Sequence, residues 1–263
     1  MLGVLEVGNS NIVFAVFEGN EVRHQWRMAS RVHRTPEDFG LQLTEYLKEA
    51  EIPNTSMNQL VIASVVEPLM PLITEAIWKS FKLNAVVIDS NSNLGITNFT
   101  NPPEATGIDR LLNAAAAYNI HRRACIVVDF GTATTVNVVD GEGRFLGGAI
   151  CAGLRTTANA LTEAAPRLAQ IELIAPKETI GSNTQEALRN GVVLGHALMV
   201  DGLVNRMSAN LVRQPNSKPA VVIATGGMSS VLGPLCSTVD EIEPNLTVKG
   251  IALVYARIKG MAA

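Results

Sequence analysis

The sequence predicts an α/β protein made by duplication, with two similar halves facing a central cleft. A strand that ends on an acid and runs into a glycine turn occurs twice, as Glu6-Val7-Gly8-Asn9-Ser10 and as Asp129-Phe130-Gly131-Thr132-Ala133. Around each copy the chain reads strand, turn, strand, hairpin, strand. Helix starts and further buried strands follow each block, the alternation of an α/β domain. The copies lie much further apart than the repeats of a solenoid, so they mark a duplicated domain. The expected division is an N-terminal domain at 1–117 and a C-terminal domain at 118–263.

Taken in order, residues 2–8 read as a strand, Ile12 to Phe17 as a second, and Val22 to Met28 as a third after the turn Glu18-Gly19-Asn20-Glu21. Thr35-Pro36-Glu37-Asp38 is a helix start, with threonine at the N-cap, proline at the first position and acids in the first turn. That helix should run to about Glu51, before Pro53. Gln59 to Val65 reads as a buried strand, Glu67 to Phe81 as a helix and Asn84 to Asp89 as a strand. Ser90 to Thr106 is a polar, proline-bearing loop. A helix rich in alanine starts at Asp109.

Cys125 to Val128 is an apolar, β-branched run that reads as a buried strand ending on Asp129. Thr134 to Val139 and Arg144 to Ile150 are strands joined by the turn Asp140-Gly141-Glu142-Gly143. Gly153 to about Leu168 should be helical, and Ser182 to Glu186 should cap a long helix reaching about Arg206. Ala220 to Ala224, ending in Thr225-Gly226-Gly227, is a buried strand. A short strand at Val239 to Ile242 and a helix at Thr247 to Lys259 close the chain.

Composition limits the partners. Of 263 residues, 47% are apolar, enough for a large core. The net charge is −3 and no basic run exceeds Arg122-Arg123, which argues against nucleic acid or an anionic membrane as partner. Cys125, Cys151 and Cys236 are odd in number and lack metal-ligand spacing, so they read as buried free thiols in a reducing compartment. The start of the chain has no charged leader, and no apolar run is of membrane-spanning length. The expectation is a cytoplasmic protein.

Four polar clusters sit where strands end or helices begin: Glu6 to Ser10, Asp109-Arg110, Asp129 to Thr135, and Thr225-Gly226-Gly227. A glycine turn lets backbone N–H groups approach a phosphate, threonine adds a hydroxyl donor, and a strand-end acid can hold a hydrated cation. Two such turns facing each other would hold a triphosphate, with the acids placing Mg²⁺ and its waters. Thr225-Gly226-Gly227 offers a flat backbone surface to a nucleoside. Asp109, opening a helix, could accept the proton of a substrate alcohol. These are the needs of phosphoryl transfer. Singly, Glu6 and Asp129 read as turn residues, Asp109 as a group favouring its helix N-terminus, and Ser182 and Thr184 as a cap. His24, His33, His121 and His196 read as structural or surface. The duplication tips Glu6 and Asp129 together toward function.

On these residues the chain resembles the type III pantothenate kinases, of the acetate kinase/sugar kinase/Hsp70/actin superfamily. The matching pieces are Val7 to Ser10, Gly107 to Arg110 with Asn113 and Ala116, Asp129 to Thr135, Gly147 to Ile150, Gly153-Leu154, Ile180 to Ala187, and Thr225 to Gly227. The resemblance implies two actin-like (ribonuclease H-like) domains and ATP-dependent phosphorylation of pantothenate, the first step of coenzyme A synthesis. It implies Asp109 as general base, with Arg110, Gly107 and Thr184 on the substrate side. Gly8, Asn9, Ser10, Gly131 and Thr132 would line the ATP phosphates, and Thr225, Gly226 and Gly227 the nucleotide. Asp129 would sit near a monovalent cation, K⁺ or NH₄⁺, and Glu6 near Mg²⁺. The family's members are homodimers.

The chain departs from the family at three places. Glu6 stands where the family has aspartate, one methylene shorter, at a position where Mg²⁺ demands near-octahedral geometry. Thr100 stands for a tyrosine, beside Asn101-Pro102-Pro103. Ala165-Pro166-Arg167-Leu168-Ala169 replaces a threonine-bearing piece of the pantothenate pocket. Loss of a buried polar partner costs about 1–3 kcal/mol of discrimination. The alternatives are a kinase for another small alcohol and a non-catalytic paralogue with a regulatory role.

Overall fold

The computed structural model describes residues 1–31, 35–165, 167–211 and 218–260. The first strands are β1 (Leu2–Val7), β2 (Asn11–Glu18) and β3 (Glu21–Ala29), followed by helix α1 (Pro36–Glu49), β4 (Gln59–Ser64), α2 (Met70–Phe81) and β5 (Val86–Ile88). The short strand β6 (Thr97–Asn98) precedes α3 (Ile108–His121), β7 (Cys125–Phe130), β8 (Ala133–Val139), β9 (Arg144–Ala152) and α4 (Leu154–Ala164). The last elements are α5 (Thr184–Arg189), α6 (Gly195–Leu211), β10 (Val221–Thr225), α7 (Ser229–Leu232), β11 (Glu241–Ile242) and α8 (Leu246–Ile258).

The chain forms two compact units. One holds Met1–Gly95, Glu104–Ala116 and the stretch from Thr247 onward; the other holds Ile96–Pro103 and Ala117–Leu246. The first unit's sheet has the order β3-β2-β1-β4-β5. β1 runs antiparallel to β2 and parallel to β4, so it is bonded along both edges, and Val4, Leu5 and Val7 are buried as its apolar pattern requires. Thr35 caps α1 by accepting the Asp38 N–H at 3.1 Å, as the Thr-Pro-Glu-Asp start predicts. Phe39, Leu43 and Leu47 of α1 and Ile73, Ala76 and Ile77 of α2 pack with Leu5, Phe14 and Ile62 into one core.

The second unit's sheet has the order β11-β10-β7-β8-β9-β6. Without β6 it repeats the first: a meander of three antiparallel strands, then two parallel strands on the other side of the first. Glu6 and Asp129 are each the next-to-last residue of their central strand. The duplication read from the acid–glycine turns is therefore present in the topology. The turn before β9 is closed by Gly143, at φ +77°, donating to Asp140 O at 3.1 Å. Its core joins Val128, Phe130, Val136, Val193, Val200 and Ala224.

Some details differ from the sequence reading. The loop at 90–106 contains β6, which exists because Thr97 and Phe99 donate to the carbonyls of Gly143 and Phe145. α4 stops at Ala164, and Pro166 lies outside the described residues, as does His33. The helix after Asn183 is interrupted by a π-helical turn at Asn190–Leu194 before continuing to Leu211. Thr184–Leu211 is long and apolar enough to cross a membrane by length and composition, where no such run was expected. Val192, Val193, Ala197, Val200 and Val204 from it lie in the second unit's core. The cysteines are free. Cys125 and Cys236 are buried, which pushes both thiols up to about 12, and Cys151 is half-buried.

Candidate functional site

In the first unit, β1 delivers Glu6 to the strand end, and the turn Gly8–Ser10 leads into β2. Gly8 N–H closes that turn on Asn11 O at 2.9 Å. Buried Ser30 braces it from behind: its N–H donates to Ser10 O at 3.1 Å and its hydroxyl to Gly8 O at 2.6 Å. Asn9 and Ser10 are left exposed. A cavity of about 20 Å³ lies at the same strand ends, lined by Glu6, Gly8, Val65, Asp109, Leu112 and Thr247. It is room for about one water. The structure thus brings Glu6, Gly8 and Asp109 to one place.

Asp109 lies in the first turn of α3. Its Oδ1 accepts the Arg110 N–H at 2.8 Å and folds back over Gly107, where a Cβ would stand 2.6 Å from it. A larger residue there would push the carboxylate from this position. Burial pushes the Asp109 carboxyl above its usual range, against the opposing influence of the Arg110 N–H and charge. Burial likewise lowers the Arg110 guanidinium.

In the second unit, Asp129 pairs with Thr225 across the parallel strands β7 and β10. Gly226 lies directly on it. At φ +89°, a Cβ there would come 2.3 Å from Asp129 Oδ1 and 2.8 Å from the Phe130 backbone. The loop is tied down by Met228 N–H to Phe130 O at 3.1 Å, and by Ser229 donating its hydroxyl to Gly226 O at 2.8 Å. Gly227 is exposed beside it. Gly131 N–H closes the turn on Ala133 O at 3.1 Å, one residue tighter than the turn at Gly8. Thr132 is exposed, and its carbonyl accepts both Gly153 N–H at 3.1 Å and the Thr156 hydroxyl at 2.7 Å. Asp129, Gly131, Thr225 and Gly226 therefore form one cluster.

The remaining candidates sit on other elements. Thr100 donates its hydroxyl to Asn98 Oδ1 at 2.8 Å and packs on Gly147 of β9. Ala165 ends α4, with its N–H on Leu161 O. Thr184 is exposed at the first position of α5, in a cap where Asn183 accepts the Glu186 N–H and Ser182 donates to the Glu186 carboxylate.

Sequence reasoning passed over several residues that shape these turns. Ser30, Thr156 and Thr247 are remote in sequence from the groups they touch, and no local pattern marks them. Gly153 belongs to a motif, yet its reason is visible only in space: a Cβ would sit 2.3 Å from Gly131 O and 2.5 Å from Thr132 O. His196, read as structural or surface, is buried and hydrogen-bonded to Thr134 Oγ1 at 2.9 Å, on the strand that leaves the Gly131–Thr132 turn.

The Thr225 hydroxyl is fully buried and has no hydrogen-bond partner among the described residues, beside Asp129 in the sheet. An oxygen donor left open next to a carboxylate suits a hard cation. Among the described residues, no group of three or more His, Cys, Asp or Glu could hold a metal.

The model of the type III pantothenate kinase family matches residues 2–206. A protein of Moorella thermoacetica named type III pantothenate kinase is 36% identical over 258 residues, 98% of this chain and 99% of its own. One of Syntrophus aciditrophicus with the same name is 33% identical over 98% of this chain and 99% of its own. Among solved structures, a conserved putative Baf family transcriptional activator from Campylobacter jejuni aligns at TM-score 0.60 and 19% identity, covering 98% of this chain and all of that one. A putative 2-dehydro-3-deoxygalactonokinase from Sinorhizobium meliloti aligns at TM-score 0.58 and 10% identity, over 100% and 98% of the two chains. At such identities the likeness is of fold alone. Together with the repeated sheet order, it is the duplicated actin-like α/β fold.

Proposed function

The chain belongs to the type III pantothenate kinase family, and from that premise we propose that it transfers the γ-phosphoryl group of ATP to the primary hydroxyl of pantothenate, giving 4′-phosphopantothenate. The observation that carries this reading is Asp109. Its carboxyl is desolvated and its pKa raised, and it lines a cavity with Glu6 and Gly8 at the strand ends. A base of raised pKa takes a proton from an alcohol more readily than an ordinary carboxylate. As the pantothenate oxygen attacks the γ-phosphorus, its proton passes to Asp109, the bond to the bridging oxygen breaks, and ADP leaves.

Gly8, Asn9 and Ser10 of one turn and Gly131 and Thr132 of the other take the ATP phosphates through backbone N–H groups and hydroxyls. Thr225, Gly226 and Gly227 lie against the nucleoside. Arg110, Gly107, Thr100, Ala165 and Thr184 are assigned to the pantothenate side. Mg²⁺ near Glu6 and K⁺ or NH₄⁺ at Asp129 and Thr225 would neutralise phosphate charge when bound. The product enters coenzyme A synthesis in the cytoplasm, and the working unit is a homodimer. The two actin-like domains divide near 117/118, except that the stretch from Thr247 onward belongs with the first and Ile96–Pro103 with the second.

A second reading, a kinase of this fold for another small alcohol, rests on Thr100 and Ala165, which replace larger or hydroxyl-bearing residues of the family. A third, a non-catalytic regulatory paralogue, rests on Glu6. Purified protein with ATP, Mg²⁺ and K⁺ should release ADP only when pantothenate is added, and Asp109→Asn should abolish that release. Turnover with a different alcohol alone would favour the second reading. Silence with every alcohol, relieved by Glu6→Asp, would favour the third.

A further inference from the structure

We propose that Thr247, at the start of α8, is a positioning residue for Asp109, an inference that rests on Asp109 being the general base. Asp109 and Asn113 are four residues apart on α3, so they share one face of the helix. Asn113 is 1% exposed and Thr247 7%. The Thr247 hydroxyl donates to Asn113 Oδ1 at 2.8 Å. Thr247 also lines the cavity that holds Asp109 and Glu6, so one side chain touches both the base's surroundings and the next turn of its helix.

A second contact fixes the same turn. Gly250, three residues on, lies so close to α3 that a Cβ would stand 2.5 Å from Leu112 O and 3.0 Å from its carbonyl carbon. Leu112 is itself a wall of the cavity. The backbone contact sets how near α3 and α8 lie, and the hydrogen bond sets how α3 is rotated about its axis. A buried apolar pair would pack as well as Thr247 and Asn113 without that directionality. Rotation of α3 is what aims the Asp109 carboxylate, among the neighbouring charged groups Glu6 and Arg110.

The test compares Thr247→Val, which keeps the shape and loses the hydroxyl, with Thr247→Ser, which keeps the hydroxyl. The inference expects Thr247→Val to lower kcat for pantothenate by about tenfold or more with little change in the KM for ATP. It also expects a displaced ¹³C titration curve for the Asp109 carboxyl, and restoration of both by serine. If valine lowers only the melting temperature, leaving kcat and the Asp109 titration at wild type, Thr247 is structural and the inference fails. Equal losses in valine and serine overturn it too. Should valine not fold, Thr247→Ala takes its place. A wild type that does not phosphorylate pantothenate would sink the functional reading, while the ¹³C comparison would still decide on Thr247.

Discussion

Asp109 is held by two opposed influences: burial raises its pKa, and the N–H and charge of Arg110 lower it, with burial the stronger. The folded pKa lies above the unfolded value of 3.8, so the stability this group contributes is present at low pH and is lost as pH rises through the folded pKa. At neutral pH the ionised carboxylate is a cost to the fold. Asp109→Asn can keep the bond from Arg110 N–H and removes the buried charge. It should raise Tm by about 2–4 °C, for a gain of about 1 kcal/mol, while lowering kcat at least about 100-fold. Differential scanning calorimetry beside the kinase assay checks both, and a less stable variant would contradict the account. His196 behaves in the opposite sense. Burial lowers it from 6.5, so the unfolded chain takes the proton first, and stability falls as pH drops below about 6.5 toward the folded pKa. Urea titrations at pH 7.5 and 5.5 should show that decline, and a smaller one in His196→Gln.

The elements around the Asp129–Thr132 turn depend on absent side chains. Gly226 and Gly153 each place backbone where a Cβ would strike Asp129, Phe130, Gly131 or Thr132. Gly226→Ala adds strain at φ +89° as well as the clash. It should cost about 1–3 kcal/mol and weaken ATP binding by about tenfold or more, measured by calorimetric titration; unchanged affinity in a folded variant would show that the turn does not bind the nucleotide. These turns were legible in the sequence because an apolar strand, an acid and glycines fall together within a few residues. The Thr35 cap and the Asp140–Gly143 hairpin were legible for the same local reason. β6 was not, since two residues become a strand only through carbonyls of Gly143 and Phe145. Ser30 and Thr247 were hidden likewise: each acts on a group far away in the chain, and neither residue type marks a site by itself.

At the scale of the molecule, duplication was the most legible feature, because it repeats a pattern rather than relying on any one propensity. The paired sheets β3-β2-β1-β4-β5 and β9-β8-β7-β10-β11 carry it through. The assignment of the stretch from Thr247 to the first unit was not legible, since nothing in an amphipathic helix says which sheet it will cover. Size-exclusion chromatography with light scattering should find twice the chain mass if the proposed homodimer is the working unit; a monomer that still turns over would contradict that. The most direct test of the central claim is the product itself. Incubated with ATP, Mg²⁺, K⁺ and pantothenate, the protein should yield a ³¹P resonance of a phosphomonoester on the pantothenate primary hydroxyl, absent with Asp109→Asn. Pantothenate recovered unmodified by a folded, ATP-binding protein would contradict the account.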